Sequence, residues 1–338
     1  MKKSVKISIL IASILSIVGF LVCAAGLFLM DFDFSKLNTQ PIVTNTHVVT
    51  EEFHSISIQV NTADVVFVFS EEEECRVVCQ EPEGLTHSVS MDERVLGGRL
   101  LIKVQDNRKW YDQIGISWGE IKVTVYLPKS EYCIISIETD TGDVKIPEDF
   151  RFDDLNVRTK SGDIYWNSVV NCTVDDISYY KRGNSRLQTD TGNVFLDGAY
   201  AGRIFVESKS GDIEIKNSLA LSLISVKAYT GNVLFCDSSS YGALEVETDT
   251  GDVTFERSGG SFSNSIKTDT GDVIFDGFKG AGDLLIKTQT GDVTGSLLKK
   301  KIIFATSKTG KIQVPKFEDG AKCEITTNTG DIILTIAD

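Results

Sequence analysis

One short signal, Thr or Ser, then Gly, then Asp or Asn, then Val or Ile, recurs along most of the chain. Its glycines are Gly142, Gly162, Gly192, Gly211, Gly231, Gly251, Gly271, Gly291, Gly310 and Gly330. The intervals are 20, 30, 19, 20, 20, 20, 20, 19 and 20 residues. A fixed period of this size restricts a chain to stacked or arrayed units, each of which cannot bury its apolar face alone. Only the copy at Gly310 changes its third residue, to Lys311, and the interval of 30 holds its extra residues near 171–185.

Aligned on the glycine, each position has a purpose. Two residues after it every copy is apolar (Val144, Ile164, Val194, Ile213 and onward to Ile332), and five residues before it every copy is apolar again, from Ile137 to Ile325. Four residues after it only Gly295 departs from an apolar type. The positions between alternate to polar types, so each repeat reads strand, corner, strand. A sharp corner needs a residue at positive φ, which glycine adopts without a Cβ clash, so all ten glycines are expected to be structural corners. The following Asp or Asn is expected to bond back onto the turn. Three residues before the glycine stand seven Thr, two Ser and Ala228, whose hydroxyls are expected to point inward.

An antiparallel meander of this pattern would leave its apolar face uncovered. A solenoid closes each coil over its own core, so the expected fold is all-β: a parallel β-helix-like β-solenoid with about 20 residues per rung, ten rungs making a rod of roughly 48 Å. Residues 41–130 lack the clean period but carry strand-like runs at 53–60, 64–69, 75–79, 99–104 and 121–127. Asn61-Thr-Ala-Asp-Val65 reads as a decayed corner with Ala63 in the glycine position. This segment is expected to cap one end against edge-to-edge pairing. Asp331-Ile-Ile-Leu-Thr-Ile-Ala-Asp338 ends almost inside a strand, which predicts an exposed other end.

Residues 7–30 form an uncharged, mostly apolar stretch of 24 residues. As a helix it spans roughly 36 Å, enough for a bilayer core of ~30 Å. Lys2, Lys3 and Lys6 precede it and Asp31 and Asp33 follow it, so the positive-inside bias predicts a cytoplasmic N-terminus and an extracellular remainder. The apolar region exceeds the 7–15 residues of a secretory signal, which favours an uncleaved anchor. The expected organisation is a cytoplasmic stub 1–6, a transmembrane anchor 7–30, a linker 31–40, an irregular β cap 41–130 and a repeat solenoid 131–338. Net charge is −14, which argues against nucleic acid as a partner. The cysteines beyond the anchor, Cys75, Cys79, Cys133, Cys172, Cys236 and Cys323, are too scattered for a small disulfide scaffold. Cys75 and Cys79 lie ~13 Å apart in an extended run and do not bridge each other.

At these motifs the chain resembles a large family of bacterial envelope proteins of unknown function, defined by β-strand repeats and often labelled candidate adhesins. The resemblance rests on the repeated Thr-Asp-Thr-Gly-Asp-Val, on Asp33-Phe-Ser-Lys-Leu37, and on Trp110-Tyr-Asp112 followed by Val125-Tyr-Leu-Pro128. It covers nearly everything after the anchor and implies a right-handed β-solenoid and no known enzymatic activity.

No catalytic or cofactor motif occurs. His47, His54 and His87 all lie outside the repeats, and Cys75, Cys79 and His87 match no common zinc spacing. No enzyme activity, cofactor or metal is therefore expected. The corner acids Asp143, Asp163, Asp212, Asp252, Asp272 and Asp292 form a column read first as turn chemistry and second as a cation ladder. Trp110, Tyr111, Trp118 and Tyr126 read as cap packing. Three residues after the glycine an outward column carries Tyr165, Phe195, Leu234 and Ile274, while four before it the column from Glu138 to Thr326 has no apolar member. That asymmetry marks a candidate contact stripe. The expected function is a membrane-anchored, extracellular, non-enzymatic binding, adhesion or envelope-sensing module whose partner is an envelope protein or glycan. The alternative is a membrane-tethered scaffold that self-associates end to end, as bactofilin-like solenoids do.

Overall fold

The structure, a computed structural model, describes residues 3–29, 31–32, 41–72, 74–109, 119–148, 150, 152–167 and 183–337. Successive repeats pair in parallel and in register, one coil apart. Val246 lies beside Ile266 in the strands before the corner, and Val253 beside Val273 in the strands after it. The strands before the corners build a 15-stranded sheet and those after them a 14-stranded sheet. The two enclose one core, which takes in the positions five before and two after the glycine in every coil but the outermost: Val157, Ile286, Ile164 and Val293 are all fully buried, while Ala305 is half-buried and Ile312 exposed. Each such aliphatic residue contributes about 1.5–3 kcal/mol by leaving water. Phe235, Phe255 and Phe275 stack through the core, with centroids 4.9 and 5.6 Å apart.

The segment before residue 131 contributes more than a cap. Ser55–Val60 pairs with Tyr132–Thr141, and Asp64–Ser70 pairs with Val144–Ile146, so Asn61–Val65 is a true corner beneath the first repeat. Arg99–Gln105 and Lys122–Pro128 stack outside it as one more coil. Antiparallel strands close that end: Cys75–Pro82 and Ile42–Val49 on one sheet, Thr86–Asp92 on the other. The strands at 42–49 and 86–92 are absent from the sequence reading because each has its regular alternation masked by polar or small residues.

The other end corrects an expectation. Residues 331–337 do not form the exposed end. Ala321–Thr329 and Ile332–Ile336 insert between the coil of Asp283–Leu297 and that of Lys301–Gln313, so the penultimate coil in sequence is outermost in space. The N-terminal end mirrors this, with Arg99–Gln105 and Lys122–Pro128 lying outside Ser55–Val60 and Asp64–Ser70.

One helix, Lys3–Leu29, precedes the solenoid. Leu15, Phe20 and Phe28 on it are exposed. Among the described residues no helix is long and apolar enough to cross a membrane. The helix covers residues 7–29 of the uncharged stretch, and its reading as an anchor comes from the sequence.

Candidate functional surface

The corners show why the signal repeats. Gly192, Gly211, Gly231, Gly251, Gly271, Gly291, Gly310 and Gly330 have φ between +141° and +158°, a region that L side chains avoid. Gly142 and Gly162 do not share it, which corrects the expectation that positive φ accounts for every corner. A stronger reason applies to all ten. A Cβ at any of them would fall inside the van der Waals envelope of the carbonyl oxygen of the corner in the adjoining coil. Ala63 meets Gly142 in this way, Gly162 meets Gly192, Gly192 meets Gly211, Gly251 meets Gly271 and Gly291 meets Gly330. The glycines stack as bare backbone.

The corner acids also act between coils. The Oδ1 of each accepts the backbone N–H of its counterpart in the next coil: Asp64 from Asp143 (2.8 Å), Asp143 from Asp163 (2.9 Å), Asp163 from Asn193 (2.7 Å), Asp252 from Asp272 (2.8 Å), Asp272 from Asp292 (2.7 Å) and Asp292 from Asp331 (2.7 Å). Asp212 takes the same part, accepting from Asn232 at 2.7 Å. The series ends where Asp331 accepts from Lys311 (2.7 Å). Among the described residues nothing stacks beyond Lys311, so that position needs only its own N–H. The expected bond back onto the same turn is replaced by one to the next coil. Among the described residues no group of three or more His, Cys, Asp or Glu side chains is placed to hold a metal ion.

Hydroxyls three before the glycine point inward as expected, but toward the glycine carbonyl one coil away, as from Thr189 to Gly162 (3.1 Å) and Ser307 to Gly330 (2.9 Å). Thr139, Thr248 and Thr268 lack a partner. A second corner escaped the sequence reading. Six residues after the glycine, Gly198, Asn217, Asp237, Arg257 and Gly277 all have φ between +47° and +74°. Beside it, Ser218, Ser238 and Ser258 pass bonds from coil to coil, for example Ser238 N to Ser258 Oγ at 3.0 Å. The serines recur at intervals of 20, so the signal was present.

The column three residues after the glycine faces outward and is half-buried. Tyr165 and Phe195 stack at 5.1 Å with planes 13° apart, and Lys145 Nζ lies 5.6 Å from the far side of the pair, over Tyr165. Tyr165 donates its hydroxyl to Asp163 Oδ2 (3.0 Å). Because the rings stack along the rod, their faces meet each other and the lysine, and their edges point outward. That disfavours sugar stacking, which needs an open ring face. Leu234 is half-buried in the same column and Ile274 is 37% exposed. On the other sheet the polar column is tied together by charge, with Glu247 between Lys227 (3.8 Å) and Lys267 (2.6 Å).

At the N-terminal end the core closes on a polar cluster. Glu81 is 2% exposed, accepts from Asn45 Nδ2 (3.1 Å), and has Oε1 2.8 Å from His87 Nδ1, an ion-pair distance without hydrogen-bond alignment. The His47 ring lies 5.0 Å from that of His87. Cys75 and Cys79 turn into the core together, where burial pushes each thiol up to about 12. His54 Nδ1 is engaged with the Gly97 carbonyl (2.9 Å). Tyr126 lies under the Arg76 guanidinium, 4.6 Å from the ring centroid. Trp110, Tyr111, Trp118, Cys172 and the motif at 33–37 lie outside the described residues, as does most of the extra segment near 171–185.

Comparison with known proteins follows this geometry. No curated protein matches the chain. Among solved structures, a candidate adhesin from Bacteroides fragilis is similar at 12% identity and TM-score 0.28, over 87% of this chain and 97% of that one. A candidate cell adhesion protein from Clostridium sporogenes is similar at 11% identity and TM-score 0.29, over 87% and 100%. A candidate lipid-binding protein from Parabacteroides distasonis is similar at 12% identity and TM-score 0.39, over 86% and 96%. These global scores are too low to carry argument. The description Toastrack DUF4097 matches residues 53–273, most of the solenoid and its first two coils, and the chain belongs to that family.

Proposed function

We propose that the protein is a membrane-anchored, non-enzymatic binding module that displays its solenoid outside the cell and meets an envelope protein along the outward stripe. The observation that carries this reading is the column Tyr165, Phe195, Leu234 and Ile274, half-buried to exposed on one sheet, beside a charge-paired column on the other. A row of aliphatic groups and ring edges suits an apolar protein surface better than a glycan. The uncharged stretch 7–30, with Lys2, Lys3 and Lys6 before it and Asp31 and Asp33 after it, supports the tether and its direction.

Two measurements test it. Protease added to intact cells should remove residues beyond 40 and spare the N-terminus; full protection of the repeats would sink the extracellular placement. The full chain carrying Tyr165→Ser, Phe195→Ser and Leu234→Ser should keep its melting temperature within a few degrees while losing captured envelope protein. Equal capture by the variant would reduce the stripe to strand propensity.

A further inference from the structure

The two ends of the rod differ in charge, in edge and in cover. The outermost C-terminal coil, residues 298–313, carries Lys299, Lys300, Lys301, Lys308 and Lys311 and no acidic residue, in a chain of net charge −14. All of these except Lys301 are exposed. Among the described residues, Lys301–Thr309 and Ile312–Gln313 each have one unpaired edge. Phe304 (56%) and Ile312 (43%) are exposed on them.

At the opposite end the edges left unpaired among the described residues are Ile42–Val49 and Thr86–Asp92, one on each sheet. Neither edge strand contains a lysine or arginine. Exposed glutamates flank them: Glu51 and Glu52 just after the first, Glu83 just before the second and Glu93 just after it. Over residues 50–93 there are eleven acidic side chains and one basic, Arg76, a net of −10. Arg94, next along, is held by Asp92 (2.8 Å). Exposed apolar groups occur here too, Val48 at 57% and Leu96 at 99%.

Lysines on an edge strand ordinarily keep identical edges apart. Here they do so for tail against tail, since four exposed lysines would face four more. Head against head sets glutamates against glutamates. The remaining pairing sets lysines against glutamates and lets a sheet continue across the joint at Ile42–Val49, which stands one strand beyond Thr86–Asp92 on the other sheet.

We propose that the C-terminal end of one copy docks on the N-terminal end of the next, so that the rods associate head to tail. Such a contact does not close on itself and generates a filament. Its axial repeat is the stack of strands in one copy, about 65 Å at ~4.8 Å per strand. The inference goes beyond the binding reading and does not use the stripe, so either stands if the other fails.

The test uses the full chain in detergent micelles, followed by sedimentation velocity at low and high salt and by negative-stain microscopy. The wild type should form a concentration-dependent series of oligomers that shrinks as salt shortens the screening length below ~10 Å. Lys308→Glu with Lys311→Glu should weaken association about tenfold or more, and so should Glu52→Lys with Glu93→Lys in a separate chain. Mixing the two variants should restore assembly, because each then offers the end the other needs. Unchanged melting temperatures show that both variants fold. A wild type that stays monomeric at every salt and concentration overturns the proposal. Assembly unaffected by either variant, or variants that fail to rescue each other, overturns it equally.

Discussion

Lys301 Nζ donates to the Gly282 carbonyl at 2.5 Å, although the two residues belong to coils separated by a third. Its strand neighbour is Ala321, in the inserted coil, whose small side chain lets the lysine pass. The ammonium also reaches the Ala281 carbonyl (3.3 Å) and is fully buried. Lys301 thus pins the outermost coil across the inserted one and fixes the order of the last three.

Lys301→Ala should cost about 2–4 kcal/mol from lost volume and unpaired carbonyls. The loss should be local, read as faster amide exchange in 321–336; unchanged protection there would refute the clamp. Desolvation lowers the Lys301 pKa, partly offset by Cys323 and Asp283. Between that lowered value and the ordinary lysine value of ~10.4 the unfolded chain binds more protons at this residue, so the contribution of Lys301 to stability rises with pH. Lys301→Met should abolish that rise.

The corner glycines and the second-corner glycines should respond differently to the same substitution. At Gly251 a methyl group collides with the Gly231 carbonyl, which cannot retreat without breaking the ladder. Gly251→Ala should therefore cost about 3–5 kcal/mol. At Gly277 (φ +68°) the nearest atom to a new Cβ is 3.7 Å away, so Gly277→Ala meets only the backbone penalty, about 1–2 kcal/mol. Equal melting shifts for the two would show that φ alone, and not the stacked carbonyls, fixes the glycine.

How much of this was legible follows from what periodicity encodes. Apolar positions on both arms named the buried columns, and Asn61-Thr-Ala-Asp-Val65 named a coil that no glycine marks. Periodicity is blind to coil order, because 301–313 and 321–336 each match the face of 283–297. One residue did carry the order: Lys311 breaks the acid column where, among the described residues, no further coil stacks on it. The second corner went unread because its members, Asn217, Asp237 and Arg257, share a backbone conformation and no side-chain chemistry. The stripe was legible as a column, but the stacking of Tyr165 on Phe195 that turns its ring faces away from solvent was not.

The ladder gives the corner acids a role that charge does not enter. Asp252 Oδ1 accepts the Asp272 N–H at 2.8 Å, and Asn232 serves Asp252 equally well through its amide oxygen at 2.9 Å. Asp252→Asn should change stability by less than about 0.5 kcal/mol, whereas Asp252→Ala leaves an N–H unpaired and should cost about 1–2 kcal/mol. Calcium titration checks the second reading of the column: a cation ladder predicts a melting temperature that rises with millimolar calcium and loses that rise in the Asn variant.

Cys75, Cys79 and Cys323 are buried without partners, and burial holds each thiol at about 12, with the Glu81 charge adding to the effect at Cys79. In the unfolded chain the same thiols ionise near ~8.5. A pKa raised by folding gives stability that is fully present below the unfolded value and is lost as pH rises toward the folded one. The melting temperature should therefore fall between about pH 9 and 12, and the fall has to be separated from that of other buried groups, Tyr132 among them. The chain with Cys75→Ala, Cys79→Ala and Cys323→Ala does this, since it keeps Tyr132 and Lys301. It should start less stable from its cavities yet lose less on going from pH 8 to pH 11. A thiol reagent at pH 8 should label exposed Cys133 and leave these three untouched until the solenoid opens. Labelling of all of them at the rate of Cys133 would mean that the coils breathe on the timescale of the reaction, and equal alkaline slopes in the two chains would remove the thiols as its cause.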